Sequence, residues 1–191
     1  MTFCNNFKLI RIYDILISVL MISVLSPVLI IIFIICFFES GNPLFIQERV
    51  GKNKKLFYLF KFRTMHINTP SVASHLVDKK CTTRFGRKIR FLKLDELPQL
   101  FNVIKGEMSL VGPRPCLSNQ IELIKKRELS YIFSVKPGIT GLAQIKGIDM
   151  SDPEKLVEIE KLMISNFHHR NYFKYLFLTF YGKGFGDRIS F

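Results

Sequence analysis

The chain opens on a long uncharged run and then changes character. Residues 15–38, "ILISVLMISVLSPVLIIIFIICFF", hold no Asp, Glu, Lys or Arg over 24 positions. As one helix they would reach about 36 Å at roughly 1.5 Å per residue, slightly more than a bilayer core of about 30 Å. Pro27 divides the run into 12 residues before it and 11 after. Because proline lacks an N–H and clashes with the preceding turn, it frees backbone groups that the hydroxyls of Ser23 and Ser26 can satisfy. Cations stand at both ends, Lys8 and Arg11 before the run and Arg49, Lys52, Lys54 and Lys55 after it. Basic flanks stay on the cytoplasmic side, so this symmetry favours a re-entrant helical hairpin over a kinked span or a buried core helix. A cleavable signal is disfavoured: the run is too long, Asp14 stands at its entrance, and Phe37 and Phe38 occupy the place of small residues.

Beyond residue 39 the pattern shortens. "SGNP" (40–43) is turn chemistry, and "LFIQERV" (44–50) and "LFYLFKF" (56–62), separated by "GKNKK", predict a hairpin or two short strands. Residues 67–83 are polar and poorly periodic, which predicts a loop. A helix is predicted from near Asp95 to Lys105 with Gly106 as its stop, and further helices near 117–130 and 153–168. In "PGITGLAQIKG" (137–147) three glycines surround a short β-prone core, which suits a strand and loop packed close to a ligand. The tail over 167–185 mixes aromatics with Arg170, Lys174 and Lys183, and reads equally as a membrane-interface segment or as an amphipathic helix covering the core. No internal repeat is visible. With 191 residues there is room for one sizeable core. The expected class is therefore α+β. Residues 1–39 form a re-entrant membrane-inserted segment, and residues 40–191 one compact cytosolic domain with short strands, several helices and interfacial amphipathic helices.

Charge changes this picture. Twenty-eight Lys and Arg against 15 Asp and Glu leave a net charge of +13, which raises a basic membrane-surface or nucleic-acid-binding protein as the alternative. The cations are spread along the chain without a recognised nucleic-acid motif, so no nucleic-acid partner is expected. Cys4, Cys36, Cys81 and Cys116 fall at no zinc-like spacing, which fits a reduced cytoplasmic environment. His168 and His169 are neighbours on a predicted helix and point apart, so they read as surface or interfacial residues. The "GKGFG" near the C-terminus lacks P-loop spacing and reads as a turn.

The chemistry concentrates in "LDELPQLFNV" (94–103). Asp95 and Glu96 stand side by side directly after "RFGRKIRFLK" (84–93), which carries five cations in ten residues. Carboxylates are hard ligands suited to Mg²⁺, which takes one or two of them and completes its shell with water and phosphate. An ionised carboxylate can also attack phosphorus without a partner base. In "PRP" (113–115) the flanking prolines hold Arg114 extended, a good mount for bidentate phosphate contact. Acids in a first helical turn are common for dipole reasons alone, so the pair gains meaning only from its surroundings.

Those surroundings are "SPVLI", "QERVGKNKKLFYLFKFRTM" (47–65), "LDELPQLFNVIKGEMSLVGPRP" (94–115) and "KPGITGLAQIKG" (136–147), in this order. Together they resemble the bacterial sugar transferase family, and within it the small monotopic polyprenyl-phosphate phosphoglycosyl transferases, from about Lys8 to Gly184. The resemblance implies transfer of a sugar 1-phosphate from a UDP-sugar to polyprenyl phosphate, commonly undecaprenyl phosphate, with release of UMP, at the start of surface glycan synthesis. It implies a bacterial inner membrane enzyme with its catalytic domain on the cytoplasmic face and membrane lipid around it. Asp95 and Glu96 would form the catalytic dyad, Asp95 as the nucleophile that becomes a phosphosugar adduct and Glu96 holding Mg²⁺ with help from Asp95. Lys61, Arg63, Arg90 and Arg114 match phosphate- or nucleotide-binding positions, and Ser26 and Pro27 the helix-breaking pair. One departure stands out: where the family's late helix often carries an Asp and, three residues on, a Tyr, this chain has Glu160 and Met163.

Overall fold

Residues Thr2–Ser40 form one 39-residue helix, α1, in the computed structural model, which describes residues 2–67, 69 and 81–182 and, for 2–7, the backbone alone. Most of the loop predicted over 67–83, the "GKGFG" turn and the Cys4 side chain lie outside the described residues. A second membrane helix is not seen around Pro27: helix continues through the proline as one element. Its continuity has a local cause. Ser26 Oγ donates to the carbonyl of Ser23 at 2.9 Å, and that carbonyl is the one the missing Pro27 N–H would have served.

Both ends of α1 nevertheless rest on the same body. Ile10, Tyr13, Ile17, Met21 and Ile22 pack on the main core around Leu59, Leu100, Val103 and Leu110. Leu29, Ile32 and Cys36 pack on a separate cluster with Phe62 and Ile89. The remaining surface is apolar and open, with Leu16, Leu20, Val24, Ile30, Ile31, Phe37 and Phe38 exposed. By length and composition α1 could cross a membrane, and only 11% of its most apolar 18-residue window is buried within the protein.

The predicted hairpin forms. Strands β1 (Leu44–Val50) and β2 (Leu56–Phe62) pair antiparallel in register from Leu44↔Phe62 to Val50↔Leu56. Phe57 and Leu59 on one face of β2 enter the main core, and Lys61 continues that face. Helix α2 (Arg84–Phe91) follows, capped by Thr83, whose hydroxyl accepts from the Gly86 N–H at 2.9 Å.

The helix predicted from Asp95 to Lys105 is split. Leu94–Glu96 form a single 3₁₀ turn entered through Lys93 in the left-handed region (φ 55°), and α3 begins only at Gln99 and ends at Lys105. Pro98, which has no N–H to continue an α-helical ladder, sits at the junction as the N-cap of α3. The acids therefore occupy their own turn ahead of α3.

Strands β3 (Ser109–Val111) and β4 (Gly138–Thr140) pair in parallel, Ser109 beside Gly138 and Val111 beside Thr140. Backbone crowds Gly138 and its neighbour Gly112 at this crossing. A β-carbon on Gly138 would lie 2.0 Å from the Gly112 nitrogen, and one on Gly112 would lie 2.5 Å from the Lys136 carbonyl. Gly138→Ala should therefore cost on the order of 3 kcal/mol or more of folding stability, read as a lowered urea midpoint; an unchanged midpoint would contradict this crossing. Helices α4 (Ile121–Leu129), α5 (Leu142–Ile145), α6 (Pro153–Ser165) and α7 (His169–Phe180) complete the fold. In α7 Tyr172 and Tyr175 are buried while Phe173, Phe177 and Phe180 are exposed. His168 is exposed, and His169 is half-buried with its ring 5.9 Å from that of Tyr13.

Candidate active site

Asp95 and Glu96 are 5% and 7% exposed, so both carboxylates are withdrawn from bulk water. Burial of a carboxylate requires compensation by cations or donors. For Glu96 two cations supply it: Lys61 Nζ donates to Glu96 Oε1 at 2.7 Å and Arg114 Nη2 donates to the same oxygen at 3.2 Å. The 3₁₀ turn thus presents two acids beside two cations brought from β2 and from the "PRP" segment. Asp95 also lies within electrostatic range of the Cys36 thiol on α1, which puts the acid turn against the C-terminal part of that apolar helix.

Each cation is aimed by a fixed mount. Asn102, fully buried inside α3, clasps β2: its Nδ2 donates to the Tyr58 carbonyl at 2.7 Å and its Oδ1 accepts from the Phe60 N–H at 3.1 Å. A third bond, from Nδ2 to Glu107 Oε2 at 2.6 Å, closes the α3 end. Lys61 is therefore tied in register to the helix that follows Glu96. The "PRP" segment is gripped from both sides. The Pro113 carbonyl accepts from the Gly138 N–H at 2.9 Å, the Pro115 carbonyl from Arg49 Nη1 at 3.0 Å, and the Cys116 carbonyl from the Val50 N–H at 3.0 Å. Arg114 projects from this bracket towards Glu96.

The other predicted cations, Arg90 and Arg63, bond groups outside the acid turn as well. Arg90 Nη1 donates to Thr64 Oγ1 at 3.3 Å. Arg63 donates through Nε to the Asn42 carbonyl at 3.0 Å and through Nη2 to the Leu44 carbonyl at 3.2 Å, with its guanidinium 5.6 Å from the Phe45 ring. Arg63 thus fastens the turn after α1 to the end of β2. The structure brings Lys61, Glu96 and Arg114 into contact, with Asp95 adjacent. Ser26 and Pro27 lie elsewhere, in the middle of α1.

Glu160 and Met163 are both buried, and neither opens to solvent. Arg127 of α4 forks onto Glu160 of α6, Nε to Oε2 at 2.9 Å and Nη2 to Oε1 at 2.5 Å. Burial, the larger effect, raises the Glu160 carboxyl pKa, and Arg127 pulls against it. Arg127 also lies close to Cys116 and lines the same wall as Pro113, Arg114 and Pro115. Met163 Sδ accepts the Leu142 N–H at 3.3 Å. At these two departures from the expected pattern, this chain has a buried ion pair and a sulfur contact behind the "PRP" bracket.

Sequence reading missed Asn102, Arg49, Arg127 and Asp14. Asp14 is fully buried, and its Oδ1 accepts from Ser109 Oγ at 3.0 Å, the Leu110 N–H at 2.9 Å and Tyr172 Oη at 2.8 Å. This network locks the N-terminal half of α1 to β3 and α7. One signal was available: an acid next to an apolar run must have partners.

Comparison with known proteins matches residues 5–183 to the family described as bacterial sugar transferase. EpsL of Bacillus subtilis, described as an uncharacterized sugar transferase, is 37% identical over 88% of this chain and 84% of its own length. An undecaprenyl-phosphate galactose phosphotransferase of Salmonella typhimurium is 36% identical over 88% of this chain. A UDP-glucose:undecaprenyl-phosphate glucose-1-phosphate transferase of Klebsiella pneumoniae is 36% identical over 95% of this chain. The last two are longer proteins, of which this chain spans 39% and 41%.

Proposed function

The chain belongs to the bacterial sugar transferase family, and from that membership we propose that it moves a sugar 1-phosphate from a UDP-sugar to a polyprenyl phosphate, releasing UMP. The observation that carries this reading is the pair of buried carboxylates on one 3₁₀ turn with Lys61 and Arg114 closing on Glu96. Cations that neutralise a carboxylate at rest are available to neutralise phosphate oxygens when a donor enters.

The reaction runs in two displacements. In the first, an Asp95 carboxylate oxygen bonds the sugar-linked phosphorus while the bond from that phosphorus to the bridging oxygen breaks, and UMP leaves with the electron pair. In the second, an oxygen of the polyprenyl phosphate attacks the same phosphorus and the bond to Asp95 breaks. A polyprenyl diphosphosugar leaves and the carboxylate is regenerated. No proton needs to move, because attacking and leaving groups are both anions. Glu96 is less suited to attack, since one of its oxygens is committed to two cations. Lys61 and Arg114 bind the donor's phosphates, with Arg90 and Arg63 beside them.

A divalent cation fits this donor set. Mg²⁺ takes one or two carboxylates together with phosphate and water, and among the described residues no group of three or more His, Cys, Asp or Glu side chains could form a closed cage. Asp95 and Glu96 would hold it, and bound there it would offset charge on the donor's phosphates.

The packing of α1 supports a matching membrane geometry. A helix whose two ends pack on one body keeps both ends on that body's side of a bilayer, while its open apolar face enters the lipid. The acid turn then meets a lipid-borne acceptor beside the second half of α1, on the cytoplasmic face of the inner membrane, where the product would begin a surface glycan.

The test is UMP release from a panel of UDP-sugars by the full chain in nanodiscs with undecaprenyl phosphate and Mg²⁺. We expect release with at least one donor, dependent on the lipid phosphate. Salt-sensitive DNA binding without turnover of any donor would overturn the reading.

A further inference from the structure

We propose that the protein carries a second phosphate-binding site, built from Arg11, Lys52 and Lys136, at the far end of α1 from the acid pair. These three cations converge on a cleft of about 150 Å³ whose walls include the apolar side chains of Ile164 and Phe167. Arg11 is held rigidly, donating through Nη1 to the Val103 carbonyl at 2.6 Å and through Nη2 to the Ile104 carbonyl at 2.9 Å. Those bonds use two of its five N–H groups. Lys136 is brought to the same place from the segment before β4: a β-carbon on Gly106 would lie 3.3 Å from Arg11 Nη2 and 3.6 Å from Lys136 Nζ. Two like charges thus crowd one point, and Lys136 forms no ion pair with a described residue.

The acid in the cleft does not balance them. Asp14 lines it and supplies one carboxylate against three cations. Burial first, then Arg11 and Lys52, hold the Lys136 ammonium below the usual lysine range, and Asp14 offsets only part of this. Like charges kept together at a half-buried cleft are what an anion would relieve. A forked guanidinium beside two ammonium groups matches the several oxygens of a phosphate.

None of Lys61, Asp95, Glu96 and Arg114 lines this cleft, although Pro113, next to Arg114 in the chain, does. Arg11 precedes Cys36, the residue near Asp95, by 25 positions, about 38 Å of helix path. Lys52 and Lys61 stand at opposite ends of the β1–β2 hairpin. The ligand is a phosphate ester, carried on a lipid headgroup or on a soluble molecule. Leu9 and Ile12 of α1, on either side of Arg11 in the chain, are exposed.

The experiment uses the full chain in detergent with Arg114→Gln, which removes a phosphate contact at the acid turn. Inorganic phosphate is titrated by thermal shift, and binding to phosphatidylcholine vesicles is compared with and without phosphatidylglycerol. We expect Lys136→Gln to weaken one of these phosphate-dependent responses by about tenfold or more, Lys136→Arg to retain it, and Lys52→Gln, at an exposed turn, to weaken it by a smaller factor. A loss confined to phosphatidylglycerol identifies a lipid headgroup, and a loss with inorganic phosphate a soluble ester. Responses that are equal in Lys136→Gln, Lys52→Gln and the parent overturn the proposal. The lysine pair keeps the test decisive if either variant folds poorly, and the outcome does not depend on UMP release.

Discussion

Asp95→Asn will stop UMP release and leave no phosphosugar adduct on the chain. The substitution keeps the size of the side chain and removes its charge and its nucleophilic oxygen, so the turn keeps its shape while the first displacement has no attacking group. We expect turnover to fall by at least about a thousandfold. Two measurements separate the possibilities: steady-state UMP release, and the intact mass of acid-quenched protein incubated with UDP-sugar but no acceptor. The parent chain should gain the mass of one phosphosugar, and Asp95→Asn none. An Asn variant that turns over normally would remove the nucleophile role from Asp95 and leave direct attack by the lipid phosphate. Glu96→Gln differs in kind: it removes the anion that Lys61 and Arg114 clasp, so donor binding should change along with the rate.

Arg127→Met will destabilise the protein by about 3–5 kcal/mol, a large share of a typical domain's 5–15 kcal/mol. Arg127 and Glu160 are each 1% exposed and bonded in a fork. Removing the guanidinium leaves Glu160 charged, or forced to take up a proton, in an apolar setting. The double variant Arg127→Met with Glu160→Leu should recover most of the loss, because it leaves no uncompensated charge. Urea denaturation of the two singles and the double gives the coupling directly, and simple additivity would contradict the pair. Activity should fall in the single variant even where it remains folded, because Arg127 backs the wall that carries Pro113, Arg114 and Pro115.

The contrast between these two sites shows where the chain was readable. Asp95 and Glu96 stood out as a neighbouring pair among cations, and "PRP" as a rigid mount, because both are statements about adjacent residues. The Ser26–Pro27 pair was readable for the same reason, and Ser26 does satisfy the carbonyl that proline frees. With that carbonyl satisfied, α1 runs on through the pair as one helix. The acids were assigned to the first turn of a long helix, but Lys93 and Pro98 cut that helix into a 3₁₀ turn and α3.

The two short strands over 44–62, the apolar helix, helices near 117–130 and 153–168 and the identity of the chemical groups follow from local pattern, since turn residues, periodicity and proline act over a few positions. Which cations serve Glu96 depends on folding across distance. Lys61 reaches it over 35 residues and Arg114 over 18, and Arg127 meets Glu160 over 33. Arg63, next but one to Lys61, was an equal candidate on residue type, yet it turns to the carbonyls of Asn42 and Leu44. The same holds for Asp14, which looked like a charge at the mouth of a membrane segment and is a three-bonded clasp in the core. A charged side chain keeps its residue type wherever it lies, but its partner is set by which backbones cross beside it, and that crossing is a property of the packed fold.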